Sequence, residues 1–410
     1  MKTTSPPSWF IVPRHLPTSA RVVAAITAIL MMCAAVFAEP VQVCPANPHY
    51  LMFKGKPVVL ITSDHHYGAV MDRDFDFHSY LNYLGRHRLN LTRIYPGGMF
   101  EPPDKWLPGN PLGPSPGRQI LPWPRSTHAG ANHSLGQPGQ PSFKFDLDHW
   151  DVDYFARLRA FVELAQKLDI VVEVAFFNGM YNDCWPLMPL YHGNNIQGIG
   201  NYEAEDFLLF TTAGGRNADV LEKQKAYVRK ITVELNRYDN VIYDICDEPT
   251  INGGKDSEVI PWILAMKNAF LEAEQALPKK HLLGQTVQSS SPDLSGDAWC
   301  EWLPTEYVAA ARAAFEKNYG ANKPIVNVES DYYGYGLVKP YTVDDVRAEG
   351  WWFMLGGGAG CISLNGEYYR GQETGGSDTQ SRIVPEKKIL RDFMDSLNLV
   401  GVAGRANQDK

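Results

Sequence analysis

The stretch that decides the fold is NVIYDICDEP, residues 240–249. Its Val, Ile and Tyr run is nearly continuous in apolar character, which is how a strand buried on both faces of a parallel sheet reads. Pro249 stops the run and leaves Glu248 at its C-terminal end. A second stretch of the same form, KPIVNVESD at residues 323–331, ends in Glu329. In a parallel sheet the C-terminal strand ends share one side of the molecule, so both carboxylates are expected at one rim.

Outward from these two stretches, strands and helical patterns alternate. Residues 49–64 read as a hairpin turning at Lys54-Gly55-Lys56, leading into a first strand at 58–62. Phe75, Tyr80, Leu81 and Leu84 recur at helical spacing, and a second strand follows at 89–95. Residues 96–142 are rich in Pro and Gly without periodicity, a long loop of the kind that is usually functional or disordered. Asp148 or Asp151 is placed to cap a helix whose stripe is Phe155, Leu158, Phe161, Val162, Ala165 and Leu168. A third strand at 170–177 precedes a second irregular stretch to about 217, and helix 218–236 leads to the strand ending at Glu248. Helix 261–276, a weak strand at 281–285, helix 305–319, the strand ending at Glu329, helix 343–355 and strand 360–364 complete the series.

Seven strands are legible, and an eighth is expected between residues 285 and 305, best placed at 297–302. Repeated βα units imply a parallel sheet, and eight of them favour a closed (β/α)8 TIM barrel with long rim loops over an open sheet. Ser63-Asp64-His65-His66 follows the first strand in place of a Gly-rich phosphate loop, which counts against a dinucleotide fold. The expected organisation is a leader over residues 1–38 and one catalytic domain over 39–410.

The leader reading rests on Arg21 ahead of an apolar stretch at 22–38 that ends Val36-Phe37-Ala38, the form of a secretory signal with its cleavage site. The expected location is therefore secreted or periplasmic, with no stable membrane association after cleavage. Losing Lys2, Arg14 and Arg21 with the leader takes the net charge from −8 to −11. An acidic chain without Lys/Arg runs argues against nucleic acid as a partner. Five cysteines remain, Cys44, Cys184, Cys246, Cys300 and Cys361, widely spaced and without a Cys-x-x-Cys pair, so neither a zinc site nor a disulfide framework is signalled. Cys246 and Cys361 read as buried fillers.

Two carboxyl groups at one barrel rim, one protonated and one ionised, are what double-displacement hydrolysis of a glycosidic bond requires, about 5–5.5 Å apart. The layout resembles the retaining glycoside hydrolase clan of (β/α)8 barrels that includes the cellulase-like family 5 enzymes. In that clan the acid/base ends strand four, usually in Asn-Glu-Pro, and the nucleophile ends strand seven; here Asp247-Glu248-Pro249 matches two of three positions. The resemblance implies Glu248 as acid/base, Glu329 as nucleophile, and Arg93 as the arginine hydrogen-bonded to the nucleophile. It also implies a carbohydrate substrate and no cofactor. Where the clan's Asn contacts the sugar 2-hydroxyl this chain has Asp247, whose charge should hold Glu248 protonated to higher pH. The clan's Trp floor after strand eight is replaced by Ser363-Leu364-Asn365-Gly366, with Tyr368 or Tyr369 the nearest aromatics.

Other residues follow from position. Asn178 after strand three and His65-His66 after strand one are placed to hydrogen-bond sugar hydroxyls, and Trp299, Trp106, Trp123 and Trp185 are candidates to stack on a sugar ring. Glu173 lies mid-strand, where a buried partner for a basic residue is expected, and Asp331 competes with Glu329 as nucleophile. His65-His66 also invites a metal, but His281 falls at the wrong strand end and strand eight ends in Asn365, so none is expected. The alternative to a hydrolase is a non-catalytic carbohydrate-binding barrel, with Asp247 marking lost catalytic geometry.

Overall fold

A computed structural model describes residues 39–204, 218–251, 255–287, 291–306, 315–330, 341–375 and 381–402. Eight short strands run parallel: β1 Leu60–Asp64, β2 Leu91–Ile94, β3 Val171–Asn178, β4 Val241–Asp247, β5 Leu283–Gly284, β6 Leu303–Glu306, β7 Ile325–Glu329 and β8 Gly360–Leu364. They form two four-stranded arcs, β2-β3-β4-β5 and β6-β7-β8-β1, each in sequence order. At one seam Gly284 bridges Trp302 and Val287 N–H donates to the Pro304 carbonyl at 2.9 Å. At the other, Asn90 N–H donates to the Ile61 carbonyl at 3.2 Å and the Asn90 side chain accepts from Ile61 N–H at 2.9 Å. The strand order is that of a TIM barrel, as expected. Gly284 is required at its seam because a Cβ there would lie 2.7 Å from the Trp302 indole nitrogen.

Helices α1 Phe77–Arg86, α2 Val152–Lys167, α3 Ala218–Leu235, α4 Asp256–Gln275, α5 Val343–Leu355 and α6 Ile383–Asp395 are the long helices among the described residues. Asp76 caps α1 by accepting from the backbones of His78 and Ser79, and Asp151 caps α2 by accepting from Tyr154 N–H at 2.8 Å. The expected stripe of α2 is buried except for Leu168, which is its C-cap and half-buried. Helix α4 starts five residues before the expected Pro261. Asp256 and Glu258 in its first turn suit the helix dipole, and Pro261 is carried inside the helix.

The sixth strand corrects the sequence reading. It occupies Leu303–Glu306, not 297–302, and residues 305 and 306, expected to open a helix, are strand. Pro304 and Glu306 made this segment read as anything but a strand. Residues 307–314 lie outside the described set. The expected hairpin is present: Leu51–Phe53 pairs antiparallel with Lys56–Val58, and Lys54 and Gly55 turn at φ of 52° and 75°, both in the left-handed region that a two-residue hairpin loop demands.

This ribbon closes the N-terminal mouth of the barrel. Val41, Leu51 and Phe53 pack with Leu60, Leu91, Val171, Ile242, Val326 and Ile362, one or more from each of six strands. The rim loop at 96–142 keeps its irregular path but is far from loose. Met99, Phe100, Leu112, Ile120, Leu121 and Trp123 are buried in the main core, and Arg125–Ala129 pairs with Phe143–Phe145. Cys246 and Cys361 are buried free thiols, as expected.

Candidate active site

Five acidic side chains converge on Arg93, which projects from β2 into the barrel and is fully buried. Its guanidinium meets carboxylates from four strands: Glu173 at 3.0 Å, Asp247 at 3.0 Å, Glu329 at 3.5 Å, Asp244 at 3.6 Å and Glu306 at 3.9 Å. The Tyr67 and Tyr95 rings flank it, with centroids 4.9 and 5.4 Å from its central carbon. Five carboxyl groups around one cation cannot all ionise. Burial pushes the Glu173 carboxyl well above its ordinary range and Asp244 up to about 6, against the pull of Arg93. Glu173 is thus the buried partner of a basic residue that its position implied.

Glu329 ends β7. Its Oε2 accepts from the Tyr67 hydroxyl at 2.9 Å and faces Arg93 Nη1. Glu248, one residue past β4, accepts at Oε2 from the Tyr181 hydroxyl at 3.0 Å. Its carboxyl is pushed up to about 8, chiefly by burial, then by the charges of Asp247 and Glu329. The raising effect expected of Asp247 is present. One glutamate therefore keeps its proton at neutrality while the other sits against a fixed cation, the opposed environments that separate an acid from a nucleophile.

Glu248 and Tyr67 hold φ of 42° and 43°, left-handed values that residues with side chains seldom adopt. Such strain survives only where packing over-determines the backbone, and it gathers at functional sites. At Glu248 the next turn contributes: a Cβ on Gly179 would fall 2.1 Å from the Glu248 carbonyl oxygen, so only glycine admits this approach.

Both glutamates line one cavity of about 340 Å³. Tyr95, Asn178, Tyr181 and Ile251 form part of its wall; His66 and four residues of the long rim loop, Met99, Glu101, Trp106 and Leu112, complete it. Glu101 anchors that loop, accepting from Trp106 Nε1 at 2.8 Å and Asn110 Nδ2 at 2.7 Å, and its Oε2 lies 3.0 Å from His66 Nε2.

The sequence-predicted residues sort cleanly. Glu248, Glu329, His66, Asn178 and Trp106 line the cavity, with Arg93 and Asp247 directly beneath. Asp247 is turned away from it: Oδ1 faces Arg93, and Oδ2 accepts from Tyr95 OH and from Asn178 Nδ2 at 3.1 Å. That arrangement gives Asp247 a role other than the expected sugar contact. His65 does not reach the cavity. It is fully buried, with Nδ1 donating to Asp64 at 2.9 Å and Nε2 accepting from Ala69 N–H at 3.1 Å, so both ring nitrogens are used in holding the β1 end. Trp299 also lies off the cavity wall, its indole donating to Asp297 at 2.9 Å. Trp123 packs between Trp150 and Tyr227, and Trp185 stacks on Tyr202. Tyr368 is buried beside Tyr80 and Tyr83, and the cavity's aromatic lining comes from Tyr95, Trp106 and Tyr181. Asp331 lies outside the described residues.

Several residues of the site escaped the sequence reading, Tyr95 and Asp244 among them. Tyr67 and Tyr181 stand one and three positions past residues already singled out, and only the fold turns their hydroxyls onto the glutamates. Glu101 had no signal beyond its place in a long loop, and Glu306 was hidden by the misplaced helix. Asp247, Glu306 and Glu329 bring carboxylate oxygens within 4.8 Å of one another, a spacing that suits a cation, and Arg93 supplies the positive charge there.

No protein-family model matches the sequence, and no curated protein does. Solved structures do. A Bacteroides vulgatus protein provisionally called a glycoside hydrolase superposes with a TM-score of 0.62 at 15% identity, over 89% of this chain and 63% of that one. The chain shares its barrel fold. A family 5 mannosidase from Rhizomucor miehei gives a TM-score of 0.53 at 10% identity over 87% of this chain and 98% of that one. The endo-β-1,4-mannanase of Thermotoga petrophila gives 0.51 at 13% identity over 83% and 78%. A family 5 glycoside hydrolase from B. vulgatus is covered over only 64% of its length, so the chain spans less than two thirds of both Bacteroides proteins.

Proposed function

We propose that this protein is an exported, retaining β-glycoside hydrolase acting on plant or microbial poly- or oligosaccharides, with residues 1–38 as its leader and 39–410 as its catalytic domain. The observation that carries the reading is the Glu248/Glu329 pair: two carboxyls on one cavity, held in opposite protonation environments. Ionised Glu329 attacks the anomeric carbon while Glu248 gives its proton to the departing oxygen. The C1–O bond to the leaving sugar breaks as the glycosyl ester forms. Glu248, now a carboxylate, takes a proton from water, whose oxygen attacks C1 and releases Glu329 with net retention. Arg93 and the Tyr67 hydroxyl keep the nucleophile ionised and aimed. The shared barrel with a mannosidase and a mannanase puts β-mannosides first among the sugars to test.

The experiment is a panel of aryl β-glycosides and polysaccharides with product chromatography. Glu329→Ala should abolish hydrolysis, with azide restoring release of an activated aryl group only through an α-glycosyl azide. Unchanged turnover in Glu329→Ala would sink the assignment. Sugar binding by calorimetry without product release would favour a non-catalytic binding barrel.

A further inference from the structure

Tyr181 is bound into the site more firmly than a wall residue needs to be. Its hydroxyl donates to Glu248 Oε2 at 3.0 Å, and its ring carries Lys105 Nζ at 4.5 Å from the centroid. Lys105 comes from the long rim loop and is gripped by both oxygens of Asp183, at 2.8 and 2.9 Å, two residues past Tyr181. Behind the ring the chain is turned tightly, the Tyr181 carbonyl accepting from the N–H groups of Cys184 and Trp185 at 3.1 and 3.0 Å. Burial and the nearby carboxylates push the phenol well above its ordinary range, so it is a permanent donor.

A protonated carboxyl has one oxygen that only accepts and one that bears the proton. A donor fixed on one oxygen therefore decides where the proton sits. We infer that Tyr181 is the positioning residue of the acid/base, assigning the transferable proton of Glu248 to Oε1 by occupying Oε2. The inference rests on the reading of Glu248 as acid/base. It adds a link to the rim loop, because Lys105 holds the ring that holds Glu248.

A phenol donates more strongly to a carboxylate than to a carboxylic acid, so this bond favours the ionised form of Glu248. Its loss should move the basic limb of the kcat/KM profile upward, since activity falls as the acid ionises. Tyr181→Phe keeps the ring and removes the donor. The expected result is an upward move of about one pH unit and a roughly tenfold lower kcat/KM on substrates with poor leaving groups. Dinitrophenyl glycosides, which leave without protonation, should keep near wild-type kcat/KM, showing fold and nucleophile intact. Lys105→Met should reproduce the leaving-group dependence at about two- to threefold. Equal losses across all leaving groups with an unmoved limb would mark Tyr181 as merely structural and overturn the inference. The underlying reading fails separately: Glu248→Ala should turn over dinitrophenyl glycosides with azide to β-glycosyl azides. If it does so while Tyr181→Phe matches wild type, only the role of Tyr181 is lost.

Discussion

Replacing Arg93 with Met keeps the length of the side chain and removes the cation that sits among five carboxyl groups. At an effective dielectric of about 20, a unit charge pair at the 3.0 Å separating Arg93 from Asp247 interacts by about 5–6 kcal/mol before desolvation. Desolvation cancels much of that for an intact pair, but removing one partner leaves the other charge buried, a loss of about 3–5 kcal/mol. The variant can soften this by taking up protons. Asp244 already stands at about 6 and Glu173 far above its usual range with the arginine present, and without it both rise further. The folded variant then binds more protons than the folded wild type, while the unfolded chains are alike. Its penalty must therefore shrink as pH falls. Urea unfolding followed by tryptophan fluorescence should show about 3–5 kcal/mol lost at pH 8 and about half of that or less at pH 5. An equal loss at both values, or less than about 1 kcal/mol at pH 8, would refute the account of Arg93 as the hub.

Two further outcomes follow from the same geometry. Because Asp247 is the largest charge effect on Glu248, the basic limb of kcat/KM should lie near pH 8, and Asp247→Asn should bring it down by about one pH unit; a pH–rate profile in which the limb stays or climbs contradicts the assigned cause. Tyr67→Phe preserves the ring over Arg93 but strips the donor from Glu329 Oε2, and kcat should fall about tenfold with KM little changed. Steady-state kinetics showing a raised KM at constant kcat would make Tyr67 a substrate contact instead.

Strands with long apolar runs were legible in the sequence to within a residue or two: β4, β7 and β8 stand where the residues placed them. Burial on both faces writes itself as a nearly continuous apolar run, and that signal is local. The sixth strand was misplaced because Leu303-Pro304-Thr305-Glu306 carries a proline and a glutamate, which tertiary pairing with Ile325–Glu329 overrides. Within the site, residues directly at strand ends could be read: Arg93, Asn178, Asp247, Glu248 and Glu329. Orientation could not. Nothing local tells that His66 faces the cavity while His65 turns into a hydrogen bond with Asp64, or that Asp247 points at Arg93. The loop contributions were equally hidden, since Glu101 and Trp106 acquire meaning only when residues 96–113 fold back over the rim.

The apolar ribbon at the far opening has an effect that distance conceals. Val41, Leu51 and Phe53 cork the bore, and the five carboxyl groups lie between that cork and the mouth. A leaking bore would admit solvent from behind, the interior would polarise more easily, and Glu248 would surrender its proton at lower pH. The protonation of the donor at one end thus depends on three greasy side chains at the other, and trimming the chain past Val41 should lower the pH at which an acid it never touches gives up its proton.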